Sequence, residues 1–166
     1  MAESDDDRRA LAAYADALVD GIDAALAPWL ERIVLERWSA QTGTMPAAEV
    51  RVRAAAAGTE AAAAVVPRVR ELLALDIDQQ RTGPLDLVRT AVPWATGALS
   101  DLGVPPVERD EFAVRMFPDD VYDLMPGSFA ELDPSLLEAG IAWGAAKAHV
   151  HLVRRRDTEP PARSSS

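Results

Sequence analysis

The chain lacks cysteine altogether and carries a single lysine, Lys147, among 166 residues. Without cysteine there are no disulfides, no thiolate zinc site and no thiol nucleophile. Aromatic residues make up only 5%, and histidine occurs twice, at His149 and His151. No run approaches the ~20 apolar residues of a membrane span. The start, Met1-Ala2-Glu3-Ser4-Asp5-Asp6-Asp7, is acidic where a signal peptide is basic. A cytoplasmic protein without a membrane partner is the expectation. A glycine-rich phosphate loop, a Gly-x-Ser-x-Gly elbow and a His-Glu-x-x-His helix are also missing, so no catalytic residue, metal or cofactor is assigned.

Positive charge is scarce as well. Lys and Arg total 17 against 27 Asp and Glu, a formal net charge of -10 at pH 7. Such a chain repels phosphate backbones, and its one basic run, Arg154-Arg155-Arg156, reads as arginine favoured at a helix C-terminus. Nucleic acid is therefore not expected as a partner. Acidity concentrates in residues 1–30 and 108–133. A surface mimicking nucleic acid is one reading of that bias, and ordinary solubility is the simpler one.

What the chain has in abundance is alanine at helical spacing. Ser4 before three aspartates is an N-cap signal, and Leu11, Tyr14, Leu18, Ile22, Leu26, Trp29 and Ile33 recur every three or four residues. Pro28 either kinks this helix or opens another. Gln41–Pro46 reads as a loop. A second pattern runs from Val50 to Leu72 around Pro67, and Gly58 within it implies a packing reason, since Gly costs a helix roughly 1 kcal/mol against Ala. Leu85, Val88, Val92, Ala95 and Leu99 predict a third helix containing Pro93 and stopped by Gly103. A short helix is expected over Val107–Met116. Asp133-Pro134 starts a last helix reaching about Arg156, with a disordered tail over 157–166. The fold class is all-α: one domain, residues 1–156, of about five to seven helices, several interrupted by proline, with no sheet.

The rarer side chains gather downstream. All three phenylalanines, both histidines, Lys147 and Tyr122 lie beyond residue 110, around the acidic loop Phe117–Pro134. On a helical wheel, Leu137, Gly140, Ile141, Gly144, Ala148 and Leu152 share a face, which predicts burial against the Ala-rich second helix. Lys147 and His151 fall on the same arc, with Trp143 at its edge. His149 and His151 stand about 200° apart, so they cannot chelate one metal from a helix. A half-buried cation needs a counter-charge. The expectation is a clasp, in which Asp119, Asp120, Asp123 or Asp133 pairs with Lys147, His151, Arg109 or Arg115 while Tyr122 and its neighbours fill apolar space. Asp119-Asp120-x-x-Asp123 also invites a divalent cation, but it lacks the glycine and ligand alternation of a calcium loop.

The segments Gly83–Arg89, Gly103–Phe112, Phe117–Leu124 and Trp143–His151 resemble a group of small uncharacterised actinobacterial proteins. The likeness covers the last half of the chain and implies no activity, so no residue role is carried over. The functional expectation is a non-enzymatic protein-binding or regulatory module that binds a partner protein or itself. Its surface would lie around residues 109–151, with Arg109, Asp119, Asp120, Tyr122, Asp123, Trp143, Lys147 and His151 as the candidate cluster. The alternative is a small-molecule or metal-dependent site built from Asp120, Asp123, Lys147 and His151.

Overall fold

The computed structural model describes residues 3–159, and six α-helices with two short 3-10 turns make up its regular structure. The fold is all-α, and no strand occurs among the described residues. Helix α1 spans Asp5–Thr42. It starts on a reciprocal capping box, in which Asp7 N–H donates to Ser4 Oγ at 3.1 Å and Ser4 N–H donates to Asp7 Oδ2 at 3.2 Å. Pro28 lies inside this continuous helix. The helix stops at Gly43, whose φ of 69° is the left-handed conformation that glycine adopts without a Cβ penalty.

Helix α2, Ala48–Ala74, returns along α1 and contains Pro67. A Cβ on Gly58 would sit 2.5 Å from the carbonyl oxygen of Ala27 in α1. This is the packing reason for the glycine: the two backbones approach too closely for a side chain, and Ala54, Ala57 and Ala61 continue that thin buried face. Leu18, Ile22, Leu26, Leu30 and Val34 of α1 and Val65 and Val69 of α2 form the centre of the core.

The single third helix expected over 85–99 is two helices, α3 (Pro84–Arg89) and α4 (Val92–Asp101). Pro93 has no N–H to continue the ladder, so the chain turns at Thr90-Ala91 and the proline opens a new first turn. Gly103, at φ 77°, ends α4 as expected. The helix predicted from Val107 starts four residues later. Asp110 caps α5 (Glu111–Met116) by accepting the Ala113 N–H at 2.7 Å, and residues 107–110 are not helical.

Helix α6 spans Ser135–Thr158 and packs on α1 rather than on the Ala-rich α2. Its buried arc is Leu136, Trp143, Val150 and Val153. The face predicted to be buried is thus the outer one: Leu137, Ile141 and Leu152 are 49%, 63% and 47% exposed. The small residues α6 meets explain the phase. The Leu136 side chain lies against Gly21 of α1, and Gly140 leaves room for the Phe129 ring, which would come within 2.9 Å of a Cβ there. Asp157 and Thr158 continue α6, so the expected tail does not begin at 157; its remainder from 160 lies outside the described residues. None of the described helices is long and apolar enough to cross a membrane.

Candidate functional site

The loop after α5 is built around Asp120, only 3% exposed. Two successive turns, Asp120 N–H to Phe117 O and Asp123 N–H to Asp120 O, both 3.1 Å, wrap the chain around its carboxylate. The carboxylate accepts the Leu124 N–H at 2.8 and 2.9 Å and the Met125 N–H at 2.9 Å. Asp123 is held at φ 57°, a left-handed conformation that aspartate tolerates better than most residues, and the reversal follows there. Tyr122 is buried and donates its hydroxyl to Val104 O at 2.6 Å; burial pushes its phenol pKa up. Arg109 donates to the carbonyls of Phe117 at 2.6 Å and Pro118 at 3.2 Å. Arg89 donates to Pro126 O at 3.0 Å and stacks over the Phe117 ring, 5.5 Å from its centroid. Asp119 and Asp123 point to solvent.

The expected clasp onto Lys147 and His151 does not form: among the described residues no ion pair joins the acidic loop to either. The loop does pack on α6, through Phe129 against Gly140, but its buried carboxylate, Asp120, is satisfied by backbone N–H groups, and Arg89 and Arg109 bond the loop's carbonyl oxygens rather than its acids. Lys147 instead donates to Gln80 Oε1 at 2.9 Å, with its ammonium 5.0 Å from the Trp143 ring centroid. His151 Nδ1 lies 3.5 Å from Asp78 Oδ1, and His149 Nε2 lies 3.2 Å from Asp7 Oδ1. The reason is the phase of α6. With Leu136, Trp143 and Val150 inward, the Lys147–His151 edge faces the 3-10 turn Ile77–Gln79 rather than the acidic loop.

Arg154, absent from the candidate cluster, is the hub of that edge. Its guanidinium bridges Glu3 at 2.9 Å, Asp76 at 2.8 Å and Asp78 at 2.8 Å. These bonds hold the carboxyls of Glu3 and Asp76 below the usual carboxylate range and raise the Arg154 pKa. The bond from Ser4 N–H likewise lowers Asp7, and that from Ser135 N–H lowers Asp133. Continuing the Lys147–His151 edge by three residues along the wheel would have found Arg154; its partners lie too far away in sequence to have been found.

Asp120, Asp123, Lys147 and His151 therefore do not converge on one site. Among the described residues no group of three or more His, Asp or Glu could hold a metal ion. Two surfaces remain. One is a groove of about 400 Å³ between α1 and the loop, lined by Trp29, Arg32, Ile33, Arg37, Met125 and Glu131, where the Nε of Arg37 is buried without a hydrogen-bond partner. The other is the outer face of α6: Leu137, Ile141, Gly144, Ala148 and Leu152 follow one another at spacings of four, three, four and four, opposite the buried arc. A Cβ on Gly144 would meet nothing within 4 Å. Comparison with protein-family models, with curated proteins and with solved structures found no match to this chain.

Proposed function

We propose that the chain is a non-enzymatic, cytoplasmic interaction module whose docking surface is the outer face of α6. The carrying observation is the row Leu137, Ile141 and Leu152, each close to half exposed or more on a helix whose opposite face packs on α1. Single exposed apolar residues are ordinary, but a continuous row on one helix is the pattern read by helix-in-groove and helix–helix recognition. The engagement of Asp120, Tyr122, Arg109 and Lys147 in structural bonds supports the same reading, because it gives these members of the candidate cluster a role in the fold. Membership of the actinobacterial group it resembles belongs to this proposal and adds no activity to it.

Site-specific photo-crosslinking in growing cells tests the reading. A benzophenone side chain at Ile141 should give a discrete cross-linked species, and the same group at the exposed Glu60 of α2 should not. Equal labelling from both positions would refute a specific α6 surface. A second reading, a small ligand in the groove, is favoured by the orphaned Arg37 Nε, which calls for an acceptor such as a carbonyl or carboxylate oxygen. A thermal-shift screen of carboxylic acids, with Arg37→Met as the control, distinguishes it.

A further inference from the structure

Resting on that reading of α6, we infer that the partner is a second copy of this chain, bound antiparallel through the outer faces of the two α6 helices. A two-fold axis between Gly144 and Ala145 pairs Leu137 with Leu152 and Ile141 with Ala148 of the second copy, so each large side chain meets either its like or a small residue. Gly144 then falls at the crossing point. Its lack of a side chain is compensated by nothing among the described residues, since a Cβ would enter open space. A helix opposed at that point compensates it, as α1 compensates Gly58 of α2 through the 2.5 Å approach of Ala27 O.

Charge selects the direction. Glu138 near the start of α6 and Arg155 and Arg156 near its end are all exposed, and none has an ion pair among the described residues. Antiparallel pairing in this register sets Glu138 opposite residue 151 of the second copy, with Arg155 one turn, about 6 Å, further along the axis, and opposes the two helix dipoles. Parallel pairing would stack like charge on like at both ends. One helix face over the stretch 137–152 falls at or below the ~1,200 Å² of a standard interface, so the pairing is reversible, with a Kd on the order of 10 µM or weaker.

The native chain has no cysteine, which makes single-cysteine variants clean reporters. At 1.5 Å per residue, an antiparallel pair holds the two copies of residue 137 roughly 22 Å apart, while residue 137 faces residue 152 across about 10 Å. A short bismaleimide reaching about 10 Å should therefore join Leu137→Cys to Leu152→Cys in a mixture and join neither variant to itself. Sedimentation equilibrium of the unmodified chain should show reversible dimer, and Ile141→Glu should raise its Kd at least about tenfold with the helical circular dichroism unchanged. Glu138→Arg alone, and Arg155→Glu with Arg156→Glu, should each weaken the dimer, and the three changes together should restore it. A chain that stays monomeric at about 500 µM, or 137-to-137 cross-links in place of 137-to-152, overturns the inference. Monomer in solution together with an Ile141 cross-link to a different protein in cells would also overturn self-pairing while leaving α6 as the docking surface.

Discussion

Asp120 shows how a residue that reads as a ligand in sequence becomes a fastener in the fold. Its carboxylate takes the N–H groups of Leu124 and Met125 out of the range of water, and a buried N–H left unpaired costs about 1–3 kcal/mol. Asp120→Ala should destabilise the chain by roughly 3 kcal/mol in urea unfolding, and Asp120→Asn by less, because the amide oxygen retains one acceptor. Arg154 carries a prediction of the opposite kind, since its network is partly exposed. Glu3 and Asp76 have folded pKa values below their ordinary 4.5 and 3.8, so their contribution is complete above that range and is lost as pH falls through the lower folded values. Arg154→Met should cost about 1 kcal/mol at pH 7 and low salt, less at high salt, and nothing once the pH lies below the folded values of both carboxyls. A difference that persists unchanged in acid would mean that Arg154 acts through packing of its stem.

At the scale of elements, the helices of the first half were legible because their apolar residues repeat without interruption. Ser4, Gly43, Gly103 and the periodic rows of α1 and α2 are local signals, and the structure places boundaries within a few residues of them. Pro93 was ambiguous because a proline fits both a helix interior with a kink and a first turn. The α6 wheel failed for a different reason. Both of its faces carry apolar residues, Leu136, Trp143, Val150 and Val153 on one and Leu137, Ile141 and Leu152 on the other, and periodicity cannot say which of two apolar faces turns inward. The choice was made by shape at long range: Gly21 receives Leu136, and Gly140 receives Phe129. Gly58 gives the element-scale test. Gly58→Ala should destabilise by about 2 kcal/mol although alanine favours a helix, because Ala27 O leaves no room for a Cβ; a stabilised variant would show that α1 and α2 separate readily.

For the whole molecule, the residues of the candidate cluster divide between two separate sets of contacts. The acidic loop and α6 do lie together, but Arg89 and Arg109 secure the loop while Gln80, Asp76 and Asp78 secure the Lys147–Arg154 edge. The outer face of α6 is left uncovered by the described residues, and the central claim is that a second α6 covers it. The isoleucines, Ile22, Ile33, Ile77 and Ile141, offer a direct readout, because only Ile141 lies on that face and Ile22 is fully buried. Methyl NMR of isoleucine-labelled protein, recorded from about 10 µM to about 500 µM, tests the claim without any mutation. The account predicts that the Ile141 signal moves with concentration while the Ile22 signal stays fixed. An Ile141 signal that does not move across that range would contradict it.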